Sequence, residues 1–315
     1  MAKIGNFEVL VGCDPEFWVR KKGTDKIVSA HGFVAGTKKA PLKLSKGGVQ
    51  VDGMALEINI TPAKTIKGFN GNINSVLGEV EALLPGYEFV YEPVAEFGEA
   101  YIESQPQEAK QLGCEPDYNA YTKSINPPPN AKVPFRTAAG HIHISWKKLD
   151  DVSWPNEISP TDATHFDACC MLTKTLDAYL GIPSVVWDND TKRRELYGKP
   201  GAFRPKIYGD GWFGMEYRVL SNAWLRYQSA RDLVYGNTID AFTALMKNED
   251  LENNKWYGHT AKEIIDNCKE EKYQQAISNI FEGNLGIKTP GYMALIISII
   301  LYRKRSILLK IRRNV

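Results

Sequence analysis

Two histidines, His141 and His143, stand two apart in AAGHIHISW (138–146), with isoleucines between and after them. On a helix that spacing separates two side chains, whereas on a strand it puts them on one face. One side of the segment then carries His141, His143 and Ser145, and the other Ile142, Ile144 and Trp146. The design recurs at three distant places. CDPEFWV puts Asp14 and Glu16 together, ALEINI pairs Glu57 with Asn59, and GMEYRVL pairs Glu216 with Arg218. The wet side of an antiparallel sheet ordinarily holds neutral polar groups and lysines; this one holds carboxylates, imidazoles and a guanidinium. Same-face neighbours lie about 6.5–7 Å apart, and carboxylates so close repel unless a cation or basic group lies between them. The pattern calls for a bound cation. Several carboxylates with one or two imidazoles form a mainly oxygen site, suited first to Mg²⁺ and second to Mn²⁺.

A basic stretch precedes the last of these strands. TKRRELYGKPGAFRPKIYG (191–209) holds Lys192, Arg193, Arg194, Lys199, Arg204 and Lys206 against a single acid, Glu195. Lys192 and Lys199 read as solvated. Arg193, Arg194 and Arg204, with Lys206, suit a phosphate clamp, because guanidinium forks match phosphate oxygens and the interleaved glycines permit close approach. Carboxylates holding magnesium beside such a loop are what nucleoside triphosphate chemistry needs. Neither a Walker A sequence nor a dinucleotide glycine fingerprint is present.

These residues need strands to hold them. The first 145 residues are rich in alternating β-branched and aromatic positions. One helix is expected from about Phe69 to Leu84, ended by Pro85 and Gly86. NPPPNAKVPFR (126–136) reads as an extended loop. A second helix is signalled near 159–181, with Ser159–Pro160 at its start and Gly181 at its close. Cys169 and Cys170 on it read as small core residues. Helices are expected across 223–247, 260–282 and 290–311. The fold class is α+β: a largely antiparallel sheet with one polar catalytic face and helices packed on the other side. Residues 1–226 are expected to form the catalytic core and 227–315 a helical region packed on it.

The bulk numbers exclude little. The 315 residues are 43% apolar and 24% charged, and a net charge of +2 gives no reason to expect nucleic acid or a membrane surface. The five cysteines (Cys13, Cys114, Cys169, Cys170, Cys268) include no CxxC pair, so neither a zinc ribbon nor a disulfide framework is indicated, and a cytoplasmic location is expected. MAKIGNFEVL has no apolar leader core. The apolar run 292–302 is about half of the ~20 residues a membrane span requires and reads as a buried terminal helix with a basic tail.

Taken together, GHIHIS, CDPEFWV, DGMALEINI and MEYRVLSNAWL, in their order along the chain, resemble the strands of the glutamine synthetase and glutamate–cysteine ligase superfamily, most closely its phage-type COOH–NH2 ligase (type 2) branch. The likeness covers roughly residues 8–60 and 113–226. It implies a glutamine synthetase-like catalytic domain that uses ATP and Mg²⁺ or Mn²⁺ to join a carboxylate to an amine. By that resemblance Asp14, Glu16, Glu57, His141 or His143, and Glu216 would hold two or three divalent ions. Arg218, with Arg193 or Arg194, would stabilise the transferring phosphoryl group. Arg204, Lys206, His143 and Ser145 would contact the nucleotide, and Asn59, Asp117 and Asn119 the substrates. GCEPDYNAY, which contains Glu115, Asp117 and Asn119, is similar to a signature of the phage-type branch. Relatives form rings, so a homo-oligomer is an expectation, and a phage-encoded chain would work in host cytoplasm. Asp14 stands where the wider family commonly has glutamate. Asp52 lies closer to Glu57 than in the family's acidic pair and is assigned to the turn with Gly53.

Two other classes fit some of the same residues. A metal-dependent hydrolase or oxygenase would use His141 and His143 with one carboxylate. A non-catalytic phage structural descendant of the ligase fold would need none of the ionisable faces.

Overall fold

The computed structural model describes residues 3–110, 117–128, 132–149, 163–188, 191–247 and 259–273. Glu115, the Ser159–Pro160 helix start and the expected helix 290–311 lie outside them. Among the described residues twelve strands join in one sheet. Its principal strands, in chain order, are β1 (Phe7–Lys21), β2 (Leu42–Leu44), β3 (Gly47–Asp52), β4 (Ala55–Ile60), β5 (Tyr118–Asn119), β6 (Ser124–Ile125), β7 (Gly140–Lys148), β8 (Ala202–Gly209) and β9 (Trp212–Tyr217). Their spatial order is β6-β5-β8-β9-β7-β1-β4-β3-β2, each neighbour antiparallel to the next. The histidine strand β7 is central, flanked by the acidic strands β1 and β9.

One face of this sheet is apolar. Val9, Val11 and Cys13 of β1, Ile142, Ile144 and Trp146 of β7, Leu56 and Ile58 of β4, and Met215 and Tyr217 of β9 are buried in one core. Each such aliphatic side chain contributes about 1.5–3 kcal/mol on burial, which pins the strand register. Three helices cover that face: α1 (Ile66–Leu83) against β3 and β4, α2 (Ala163–Leu176) against β8 and β9, and α3 (Gln228–Met246) across α1 and α2.

Helix boundaries depart from expectation. The helix expected from 223 begins at Gln228 after a 3₁₀ turn, and the one expected from 260 ends at Asp266. Two others differ for identifiable reasons. Helix α1 begins three residues early because the Thr65 hydroxyl caps it, accepting the Gly68 N–H at 3.1 Å. Gly181 does not close the second helix. After Leu176 the chain widens into a π-helical turn, Asp177–Gly181, and continues helically to Ser184. Gly181 serves close packing instead: a Cβ there would stand 2.5 Å from Ile265 Cδ1 and 3.0 Å from the Tyr217 hydroxyl.

Gly140, at the head of the histidine strand, is tighter still. A Cβ would lie 2.3 Å from Trp224 Nε1 and 2.4 Å from the Ser221 carbonyl oxygen. Trp224 Nε1 donates to the Gly140 carbonyl at 3.1 Å, so neither neighbour can withdraw freely. Gly140→Ala is expected to cost about 3 kcal/mol, the overpacking of a closed site. Urea unfolding checks it, and an unchanged midpoint would contradict the close approach.

Candidate functional site

The polar face follows from the register. Reading across strands, Arg204 of β8 faces Glu216 of β9, Glu216 faces His143 of β7, His141 faces Asp14 of β1, Glu16 faces Glu57 of β4, and Glu57 faces Gln50 of β3. Residues directly opposite in an antiparallel ladder share a face at close range. Six strands therefore lay one diagonal band of ionisable groups across the sheet. His143 pairs with Gly12, whose missing side chain leaves room beside the imidazole.

The centre of the band is a carboxylate–imidazole cluster. His143 Nε2 lies 2.9 Å from Asp14 Oδ2, and His141 Nδ1 lies 3.5 Å from Asp14 Oδ1 and 3.1 Å from Glu216 Oε1. His143 Nδ1 reaches the Tyr208 hydroxyl at 3.0 Å. One ligand atom from each of Asp14, His143 and Glu216 falls within 4.8 Å of the others, a spacing that could hold a metal ion. Burial would raise the Asp14 carboxyl, but the charge of His143 and hydrogen bonds from both histidines outweigh it and hold it at about 2. His143 moves up in turn: burial opposes the shift, and the Asp14 carboxylate overcomes it. Burial works against the Glu216 charge too, yet Arg218 and His141 keep it well below the usual range.

Basic groups flank this cluster on one side. Arg218 ion-pairs with Glu216 through Nη1 and with Asp117 through Nε at 3.1 Å. Arg204 Nη1 stands 3.0 Å, and Lys206 Nζ 3.5 Å, from Glu216 Oε2. On the other side carboxylates crowd. Burial, with Asp14, Asp52 and Glu16 nearby, pushes Glu57 well above the usual carboxyl range, and burial and Asp52 raise Glu16. Gln50 Nε2 donates to Glu57 at 2.6 Å, the Ala139 N–H donates to Glu16 at 2.8 Å, and Lys38 holds Asp52 at 2.8 Å.

Two sizeable cavities border the cluster, beside a small one of about 50 Å³ that touches His141 and Arg218. A polar one of about 670 Å³ is lined by Asp14, Glu16, Glu57, His141, Glu216, Arg204 and Arg218 together with Lys38, Gln50 and Asp52. A more apolar recess of about 360 Å³ lies beyond His143, formed by Leu10, Gly12, Asn59, Ile60, Pro62, Ser145, Tyr208 and Trp212. Asp14 borders both.

Other expected site residues lie elsewhere. Arg193 is buried with its guanidinium donating to the Val219 and Leu220 carbonyls, each at 2.9 Å, and it reaches neither cavity. Gly198 makes that pose feasible, since a Cβ there would stand 1.8 Å from Arg193 Nη1. Burial lowers the Arg193 guanidinium to about 10. Arg194 is buried toward Cys268, also away from the cavities. The clamp expected of these two arginines is corrected: the 3₁₀ turn Lys192–Glu195 folds them inward as struts. Asn119, expected at the substrate, closes its own turn, its Oδ1 accepting the Tyr121 N–H at 2.9 Å and its Nδ2 reaching the Pro200 carbonyl at 3.4 Å, and it lines neither cavity. Asp117 holds Arg218 and accepts from Asn126 at 2.9 Å.

Sequence reasoning missed Gln50, Tyr208 and Trp212, and set Asp52 aside as a turn residue. Asp52 does end β3 at its turn, yet its carboxylate lines the polar cavity. The alternation of Gln50 with Asp52 along β3 was the available signal.

No family model and no curated protein matches this sequence. Among solved structures, one described as a novel glutamine synthase homolog aligns over 94% of this chain and 67% of its own, with 12% identity and a TM-score of 0.43. A structure of GmaS without ligand aligns over 95% of this chain and 70% of its own, with 8% identity and a TM-score of 0.42.

Proposed function

We propose that this chain is an ATP- and Mg²⁺-dependent carboxylate–amine ligase, with Mn²⁺ able to serve in place of Mg²⁺. It would form an amide or peptide bond through an acyl phosphate. The observation that supports this most is the convergence of Asp14, Glu16, Glu57, His141 and Glu216 with Arg204 and Arg218 around one cavity. Hydrolases and oxygenases built on two histidines and a carboxylate need no such guanidinium pair beside the metal.

The donor set fits a hard divalent cation. Asp14 Oδ1 is buried with no well-formed hydrogen bond among the described residues, its nearest basic neighbour being His141 Nδ1 at 3.5 Å, which leaves lone-pair capacity for a metal. Asp14, His143 and Glu216, with His141 adjoining, would hold one ion. Glu16 and Glu57, with Asp52, would hold a second. Bound there, such ions neutralise phosphate charge and polarise the oxygens of the transferring group.

The chain's own residues then position and neutralise. A substrate carboxylate oxygen bonds to the γ-phosphorus as the bond to the ADP oxygen breaks. The amine nitrogen next attacks the acyl carbon, phosphate leaves with that oxygen, and the nitrogen gives up a proton. Arg218 and Arg204 meet the charge that develops on the phosphoryl oxygens, and Lys206 stands beside them. The recess lined by Ser145, Tyr208, Trp212, Leu10 and Ile60 suits the flat apolar faces of a purine base. Asn59 sits at its edge, where it can meet a polar group of the bound molecule.

Calorimetry of ATP binding, with Mg²⁺ and with a chelator, tests the proposal. Binding is expected with Mg²⁺ and to weaken at least tenfold on chelation. An absence of nucleotide binding under both conditions, or tight zinc or iron binding without nucleotide, would overturn it in favour of the hydrolase or oxygenase class or a non-catalytic role.

A further inference from the structure

A carboxylate stands on the reverse side of the sheet. Asp177, the first residue of the π-helical turn, is fully buried. Its Oδ1 accepts the Tyr217 hydroxyl at 2.7 Å and its Oδ2 the Tyr121 hydroxyl at 2.9 Å, and the Gly201 N–H also donates to it. Charged groups near this pocket from packed elements include Asp266, which acts on Asp177, Arg194, which acts on Tyr217, and Lys174, whose Nζ stands 5.8 Å from the Tyr121 ring centroid. Burial pushes the Asp177 carboxyl up to about 7, the tyrosine hydrogen bonds pulling it back. Burying a carboxylate here is costly, and an apolar residue of similar volume would stabilise a purely structural contact as well or better.

The three donors share a destination. Tyr217 lies in β9 between Glu216 and Arg218. Tyr121 is fixed by Asn119 in the turn that follows Asp117, the carboxylate that holds Arg218 Nε. Gly201 precedes Ala202, whose carbonyl accepts the Arg218 N–H at 3.0 Å and which pairs with Asn119 in the sheet. Gly201 has φ +81°, and a Cβ there would stand 2.7 Å from Tyr121 Cδ2, so the two segments are drawn together as closely as the chain allows. One carboxylate thus gathers the strand that leads into Arg218, the turn that carries its partner, and the segment that anchors its backbone.

We propose that Asp177 is a positioning residue that fixes the Arg218 guanidinium against Glu216 from the opposite side of the sheet. The fully satisfied network gives the arm one geometry, where an apolar contact would permit several. Its kinetic consequence rests on the ligase reading above; its structural consequence does not.

The test uses Asp177→Asn, which keeps the shape, and Tyr121→Phe, which removes one tether with little change in packing. The Nε–H signal of Arg218, assigned with Arg218→Lys in arginine-labelled protein, reports the arm directly. It is expected to shift and broaden in both variants while melting stays cooperative. ADP release dependent on amine is expected to fall about tenfold in kcat in Asp177→Asn, the lower end for loss of a supporting hydrogen bond, with KM for ATP changed less than twofold. An unmoved Arg218 signal in folded Tyr121→Phe and Asp177→Asn overturns the proposal, and if the aspartate variant does not fold, Tyr121→Phe decides alone. A wild type that neither binds nor turns over ATP defeats the ligase reading, and the Arg218 signal still judges the tether.

Discussion

Arg218→Ala is expected to lower amine-dependent ADP release about 10³-fold, the scale on which one guanidinium aimed at a transferring phosphoryl group acts. The same change disturbs folding. Arg218 is buried between Glu216 and Asp117, and its Nη1 also lies 3.5 Å from His141 Nδ1. Breaking a buried ion pair by deleting one partner ordinarily costs about 3–5 kcal/mol. Arg204 and Lys206 remain beside Glu216, and Asn126 remains on Asp117, so the cost here falls at the lower end. Arg218→Lys separates the two effects. A lysine restores the charge and most of the stability, but a single ammonium cannot bond Asp117 through one nitrogen while presenting another to Glu216 and a phosphate. Its activity is expected to stay at least about 10²-fold below wild type, because the interaction made in the transition state is lost. Urea unfolding and steady-state ADP release together check this. Wild-type kcat in Arg218→Lys would remove the arginine from the mechanism.

Glu57→Gln is expected to act in opposite directions with and without a cation. Glu57 faces Glu16 directly across β1 and β4, and Asp52 adds a third carboxylate to the same corner. Like charges directly opposite in a sheet are destabilising, and Lys38 is paired with Asp52. In EDTA the amide should therefore leave the protein as stable as wild type or more so, with Gln50 still able to hydrogen-bond it. With Mn²⁺ the order reverses. At a concentration 100 times its Kd, an ion that binds only the folded state stabilises it by about 2.7 kcal/mol. Glu57→Gln should lose about half or more of that gain from the second ion, with Mn²⁺ affinity there reduced at least about tenfold. Thermal melts in EDTA and in Mn²⁺ read both signs. A variant less stable than wild type in EDTA, with Mn²⁺ stabilisation intact, would mean that this corner is an ordinary hydrogen-bonded cluster.

The band of site residues was legible because strand alternation is local: each pair at i, i+2 declares its face without knowledge of its neighbours. The order of β7, β1 and β9 across the sheet carries no such local mark, so the facing of Arg204 with Glu216 emerges only from the register. Arg193 shows the converse failure. Its charge was plain in the sequence, but its destination depends on the carbonyls of Val219 and Leu220, which a chain reversal brings to it. A guanidinium satisfied by backbone and one waiting for phosphate have the same sequence signature. Asp52 was read correctly as a turn residue, but that reading hid its place in the site, since a residue that ends a strand at a turn can still point its carboxylate into a cavity. The start of α1 was readable in principle: Thr65 is an N-cap residue, but hydrophobic periodicity, which begins at Phe69, spoke louder.

The two-sided character of β7 has a further bearing on what this protein can tolerate. Its odd-numbered positions face the cavities and its even-numbered positions face the helices, so the strand is written in a frame of two. Inserting or deleting one residue between Gly140 and Ser145 would trade imidazole for isoleucine on both sides at once, stripping the cavities of their imidazoles and planting His141 and His143 among Met215, Tyr217 and Cys13. Chemistry and folding here would fail together, so diversification of this scaffold is confined to substitution within the strands, with length changes left to the loops.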